Sequence, residues 1–247
     1  MKHIVIIGAT SAIAQECAKL WAKEMPKYLT LVVRDSRKAK RILDDLQVRS
    51  PQSKIEIVQM GFANPEEIKK MVGQIAKQRP IDIALIAHGC LPEQTDCQEN
   101  LDLCQHTLEV NGISPVLFAE ALAMAMENVN QGTIAIIGSV AGDRGRKSNY
   151  VYGAAKSLVA RYAQGLQHRF AGSSIKVILI KPGPTDTPMT ASFKQKGIKM
   201  ASSEIVALAI VDGISKGNPV IYAPGKWQII MLLIQHIPRI IFNKLNI

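Results

Sequence analysis

Aromatic side chains make up only 5% of this 247-residue chain, and its four cysteines form no C-x-x-C pair. The formal charge of +10 invites a nucleic-acid reading. Such surfaces, however, add a recognition motif or aromatics interleaved with the basic residues, and the chain shows neither. Cys17, Cys90, Cys97 and Cys104 are expected to be packed thiols in a reducing cytosol. The last three stand seven residues apart near His88 and His106, a spacing that fits packing better than a metal cluster, so no metal is assigned. A secretory signal is not evident, because only about five apolar residues precede Gly8. The body of the protein is therefore expected to be cytoplasmic. Acidic residues are missing after Asp212, where Lys216, Lys226, Arg239 and Lys244 remain. Glycine is scarce where it would matter most: IGATSAIA (7–14), directly after the apolar start HIVI, contains Gly8 alone.

What is present is a large apolar content, 47% hydrophobic, enough for one α/β domain. Short β-branched runs alternate with helix-compatible stretches. HIVII precedes 11–24, LTLVV precedes 36–48, KIEIV precedes 64–78 and IDIALIA precedes 97–127; TIAIIG precedes a helix over 150–171, and IKVILIK and a loop precede one over 202–216, before PVIYA. Buried strands separated by helices predict a parallel, doubly wound Rossmann-type sheet of about seven strands with helices on both faces. Residues 1–225 read as this single domain and 226–247 as an apolar, basic C-terminal tail. Ligands of such sheets bind outside the carboxyl ends of the strands, where the strand order reverses, so the residues after each strand are the ones to inspect.

After the first strand, Gly8 can make the turn, while Ala12 and Ala14 keep the other two glycine positions of a dinucleotide fingerprint small. The amides opening the next helix can bind an anion. On its own the turn reads equally as a plain strand-to-helix connection. After the second strand, Arg34 favours a ribose 2′-phosphate, with which a guanidinium pairs bidentately, although Asp35 follows it. The other basic residues of RDSRKAKR suit a solvated helix face equally well. Ser139 ends the fifth strand, and Tyr152 and Lys156 lie four residues apart on the next helix, hence on one face.

Taken together, GATSAIA, Asn111 in EVNG, Ser139, Tyr152-x-x-x-Lys156 and PGPTDTPM resemble, in order and spacing, the short-chain dehydrogenase/reductase superfamily over residues 3–222. The resemblance implies a catalytic set of Asn111, Ser139, Tyr152 and Lys156. Tyr152 would exchange a proton with the substrate oxygen, Ser139 would hydrogen-bond that oxygen, and Asn111 would hold a relay water. An unperturbed phenol titrates near 10, so Lys156 is expected to favour the phenolate. The cofactor would be NADP(H) rather than NAD(H), contacted by Gly8, Thr10, Ser11, Ala12, Ile13, Arg34, Phe62, Ala87, Gly89, Tyr152, Lys156, Pro182, Gly183, Thr185 and Thr187. A homodimer or tetramer is implied through the helices bearing Asn111 and Tyr152.

Three departures accompany the resemblance. The turn has lost glycines, AHG (87–89) replaces the family's NAG, and Gly61 in QMGFAN stands where many members have an adenine-contacting aspartate. His88 reads as a structural histidine. With GDRGRKSNYVYGAAK and the tail, AHG also resembles a bacterial subgroup that includes the reductase of decaprenylphosphoryl 2-keto-erythro-pentose, a lipid-linked sugar. The tail WQIIMLLIQHIPRIIFNKLNI is interrupted by polar residues, with IIMLLI its longest apolar run. It reads as a helix-break-helix at a membrane interface, or alternatively as a cap on the sheet or a subunit contact. The loop 184–200, with Met189, Phe193, Met200, Lys194, Lys196 and Lys199, suits an apolar, basic lid or a mobile flap. The expectation is a reductase of an apolar or lipid-linked ketone, peripheral at the inner face of a membrane; the alternative is a nucleotide-sensing protein of the same fold with little turnover.

Overall fold

The computed structural model describes residues 1–195 and 197–245. In chain order the elements are β1 (His3–Ile7), α1 (Ala12–Glu24), β2 (Tyr28–Val33), α2 (Ser36–Arg49), β3 (Lys54–Gln59), α3 (Pro65–Gln78) and β4 (Ile83–Ile86). Then come α4 (Gln94–Glu99), α5 (Leu101–Leu108), a π-turn (Glu109–Ile113), α6 (Ser114–Glu127), β5 (Gly132–Ile137), a 3-10 turn (Val140–Gly142), α7 (Tyr150–Arg169) and β6 (Ile175–Pro182). The chain continues through the two-residue strand β7 (Thr185–Asp186), a 3-10 turn (Pro188–Thr190), α8 (Ala191–Gln195), β8 (Ala201–Ser202), α9 (Ser203–Lys216) and β9 (Val220–Ala223). It ends in α10 (Lys226–His236) and α11 (Arg239–Phe242).

The main sheet has the order β3-β2-β1-β4-β5-β6-β9, with every pair parallel. Side chains of β1 alternate between two cores, Ile4 and Ile6 packing with Trp21, Leu46 and Ile210 on one face, and Val5 and Ile7 with Phe118, Leu122 and Val159 on the other. Burial of both faces explains why the central strands read as unbroken apolar runs. The order reverses between β1 and β4, so the loops after these two strands diverge and leave a crevice at their carboxyl ends.

The single helix expected over 97–127 is instead four segments. Asn100 ends α4 in an extended conformation, and its side chain accepts from Leu103 N at 3.0 Å to start α5. Pro115 has no N–H for the carbonyl of Asn111 four residues back, and there the helix loosens into the π-turn, where Ser114 N reaches back to Glu109 O. Asn111 thus sits in a bulge beside the crevice. The run Leu101–Glu127 is long and apolar enough to cross a membrane, yet Phe118, Leu122 and Met126 on it are fully buried core side chains.

The tail adopts the expected helix-break-helix, α10 and α11 meeting at Ile237-Pro238. Met231 is buried, whereas Ile229, Leu232, Leu233, Ile240 and Ile241 are exposed. The Trp227 indole packs so closely on Gly183 that any side chain there would overlap it.

Candidate active site

One cavity of about 410 Å3 opens at the crevice, and every residue expected to bind cofactor or act on substrate lines it. Gly8, Thr10, Ser11, Ala12 and Ile13 form one end, Arg34, Phe62, Ala87 and Gly89 its flank, and Asn111, Ser139, Tyr152 and Lys156 the wall. Pro182, Gly183, Thr185 and Thr187 close it. Among the described residues the lining contains Arg34, Arg146 and Lys156 but no aspartate or glutamate.

The turn after β1 keeps the one glycine it requires. Gly8 has φ +80°, and a Cβ there would lie 2.7 Å from the His88 backbone nitrogen. Ser11, the N-cap of α1, makes no side-chain cap bond, and no acid occupies the first turn. The leading amides of this 13-residue helix therefore remain available to an anion at its positive end. Arg34 lies 5.9 Å from the Phe62 ring centroid and lines the cavity. The adjacent Asp35 is the N-cap of α2, accepting from Arg37 N at 3.0 Å, and does not line the cavity. These features fit a phosphorylated dinucleotide: open helix amides, a close backbone approach and an unopposed guanidinium.

Ser139 caps the 3-10 turn after β5, its Oγ accepting from Ala141 N at 3.1 Å, and it hydrogen-bonds Tyr152. Lys156, only 3% exposed, donates to Ile137 O at 3.1 Å and lies 5.7 Å from the Tyr152 ring centroid. Its remaining ammonium hydrogens are free for a ligand. Burial pushes the Tyr152 phenol up to about 12 and the Lys156 ammonium down to about 8, since both charged forms are removed from water in the same wall. The Ser139 hydrogen bond opposes the rise at Tyr152 without overcoming it. Tyr152 thus holds its proton.

Asn111, with no exposed surface, accepts from Cys90 N through Oδ1 at 3.0 Å and donates to Thr107 O at 2.9 Å. Gly89 admits this packing, because a Cβ there would lie 2.8 Å from Asn111 Oδ1. His88, expected from the sequence to be a structural histidine, is buried and also lines the cavity. Ser114 Oγ donates to Phe62 O at 2.6 Å, so it accepts from His88 Nε2 at 2.9 Å and Nδ1 is left as an unpartnered acceptor. Burial holds this imidazole down to about 3. The Thr185 hydroxyl donates to Gly183 O at 2.9 Å, and Thr187 forms a capping box with Thr190.

Of the expected lid, Met189 lines the cavity. Lys196 and the side chains of Phe193 and Lys194 lie outside the described residues. Sequence reasoning missed Arg146, Asn149, Leu91 and Val140, which also line the cavity. Arg146 and Asn149 lie within GDRGRKSNYVYGAAK, but no local spacing rule separates them from solvated loop residues. The four cysteines are free thiols; burial puts Cys17, in the sheet core, up to about 12.

A family model, short chain dehydrogenase, matches residues 2–197. An uncharacterized oxidoreductase of Streptomyces coelicolor is 23% identical, with 99% of this chain and 96% of that protein covered. One of Mycobacterium tuberculosis is 24% identical, over 98% and 96%. Among solved structures, a short-chain dehydrogenase of Sphingobium yanoikuyae in complex with NADPH superposes with TM-score 0.80 at 22% identity, covering 97% of both chains. One of Burkholderia cenocepacia in complex with NADP gives 0.81 at 18%, covering 100% of both. By the family match, and with the fold and the residues above in agreement, the chain belongs to the short chain dehydrogenase family.

Proposed function

We propose that the protein is an NADP(H)-dependent reductase of ketones carried by apolar or lipid-linked substrates. The observation that carries this reading is that Ser139, Tyr152 and Lys156 share one wall of a cavity whose other end is the Gly8 turn beside Arg34. When bound, the dinucleotide supplies the hydride. Arg34 would pair with the 2′-phosphate, the open amides of α1 would hold the pyrophosphate, and the free hydrogens of Lys156 would bind the nicotinamide ribose hydroxyls. Ser139 and Tyr152 would then orient the substrate carbonyl, Tyr152 giving its proton to the oxygen as the carbon is reduced. Retention of the proton up to about pH 12 suits this acid role. Because the Asn111 side chain is committed to Cys90 and Thr107, its main-chain carbonyl is the group left to hold a relay water.

The NADPH and NADP complexes of the Sphingobium and Burkholderia proteins support the cofactor assignment. A homodimer or tetramer, and peripheral attachment to the inner face of a membrane through 226–247, belong to the same proposal. The first support comes from family likeness, the second from the exposed apolar face of the acid-free tail.

The test is a titration with NADPH and, separately, NADH, followed by nicotinamide fluorescence. Tighter NADPH binding is expected, and no binding of either at millimolar cofactor would sink the reading. Tyr152→Phe should lower ketone-reduction kcat by roughly 100-fold or more. A nucleotide sensor would be indifferent to that change.

A further inference from the structure

Arg146 and Asn149 line the cavity with Ser139 and Tyr152, yet the chemistry above gives them nothing to do. Arg146 Nε and Asn149 Oδ1 are both buried without a hydrogen-bond partner. Buried polar atoms are nearly always partnered; of the three such orphans on residues lining this cavity, His88 Nδ1 being the third, these two stand three residues apart just before α7 and call for a ligand.

The surrounding fold accounts for their freedom. Asn149 is the N-cap of α7, where its side chain would ordinarily accept from one of the first amides of the helix. That amide, Val151 N, instead donates to Gln94 Oε1 of α4 at 3.1 Å, and Asn149 makes no side-chain cap bond. Asp143, the carboxylate whose charge reaches Arg146, is held by Lys181 Nζ at 2.5 Å and by the Tyr222 hydroxyl at 2.9 Å. Arg144, two residues before Arg146, is committed to the tail carbonyls of Ile234, Gln235 and Ile237. Burial holds the Arg146 guanidinium below its ordinary value, though an arginine stays charged throughout the working range.

We propose that Arg146 forms a subsite for an oxyanion, a phosphate or carboxylate, borne by the ketone substrate, as its charged donor, while Asn149 Oδ1, an acceptor, receives a hydroxyl of the same substrate beside the anion. The subsite rests on the reductase reading of the cavity. It narrows the substrate class to anionic ketones, whose carbon skeleton would meet Leu91, Val140 and Met189 in the same cavity. A small soluble anion and the phosphate of a lipid-linked molecule share this chemistry.

The first measurement is a calorimetric titration of the NADPH-saturated protein with phenylphosphonate, for wild type, Arg146→Met and Arg146→Lys, with thermal melts to verify folding. Wild type should bind, Arg146→Met should weaken binding about tenfold or more, and Arg146→Lys should fall between them. Absence of binding in wild type, or equal binding in Arg146→Met, overturns the subsite. The second measurement compares kcat/KM for 2-oxoheptylphosphonate and its uncharged dimethyl ester. The ratio should favour the acid about tenfold or more in wild type and collapse in Arg146→Met; an unchanged ratio overturns the proposal. 2-Oxopropylphosphonate separates the two sources, a preference for the longer chain pointing to an apolar-tailed anion. Reduction of the ester without charge preference would remove the subsite and leave the reductase standing. Phosphonate binding that depends on Arg146, without turnover of any ketone, would keep the anion site and remove the reductase.

Discussion

At the scale of single residues, burial determines the protonation state of the site more than neighbouring charge does. Tyr152 and Lys156 are driven in opposite directions by the same desolvation, and both are thereby kept nearer neutrality. His88 is the extreme case. Its folded value of about 3 lies below the ordinary 6.5, so above pH 6.5 both folded and unfolded chains carry it neutral. As pH falls from 6.5 toward 3, the unfolded chain binds a proton that the folded one refuses, and stability declines. His3, also lowered chiefly by burial, acts in the same direction. Replacing His88 by Asn should therefore flatten the acid limb of a plot of urea midpoint against pH, the two proteins converging above neutrality. The part removed should be a few kcal/mol, roughly, at the acid end. Equal slopes for both proteins would refute the assignment. That Tyr152 and Lys156 share one face was readable from i,i+4 spacing, whereas the direction of the phenol shift was not, because burial is a property of the packed wall.

Among the elements, the tail is the one most dependent on distant partners. The last carbonyls of a helix have no internal donors, and the end of α10 is served by Arg144. Its Nη1 donates to Ile234 O at 2.7 Å, Gln235 O at 2.9 Å and Ile237 O at 2.7 Å, while the guanidinium stacks 3.8 Å from the Phe242 ring centroid. A cation here also meets the negative end of the helix dipole. With Arg144→Met, trypsin should cut at Arg239 and Lys244 faster, by about tenfold if the lost interactions are worth about 1.5 kcal/mol. An unchanged cleavage rate would mean that Trp227 on Gly183 holds the tail alone. The helix-break-helix was legible from Pro238, but Arg144 as its anchor was not, since some 90 residues separate donor and acceptors. The segment 97–127 shows the converse. Its apolar content predicted one helix, and Asn100 and Pro115 divided it through backbone hydrogen-bond needs that periodicity does not record.

For the whole molecule, the charge of +10 and the absence of acids after Asp212 concentrate positive charge where Ile229, Leu232, Leu233, Ile240 and Ile241 are exposed. Apolar side chains flanked by Lys226, Arg239 and Lys244 suit an anionic bilayer surface. The chain should co-sediment with vesicles of phosphatidylcholine and phosphatidylglycerol, and not with pure phosphatidylcholine. Binding should weaken as salt rises, and Leu233→Glu should reduce it strongly. Binding equally strong to neutral vesicles, or unaffected by Leu233→Glu, would refute the interfacial reading in favour of a tail that serves only to cover this chain or another copy.

What the sequence by itself determined is what short-range rules can encode. Apolar runs alternating with helix-compatible stretches predicted the seven parallel strands, and the residues after those strands, Ser139 among them, with Tyr152 and Lys156 on the next helix, line one cavity. The tertiary structure alone decided which polar groups are left without partners. Asn149 Oδ1 is unpartnered where Gln94, from another helix, takes the Val151 amide, and among the described residues Arg146 forms no ion pair, Asp143 being held by Lys181 and Tyr222. Hydrogen-bond satisfaction is a competition among groups brought together by packing, so its losers are known only once the chain has folded.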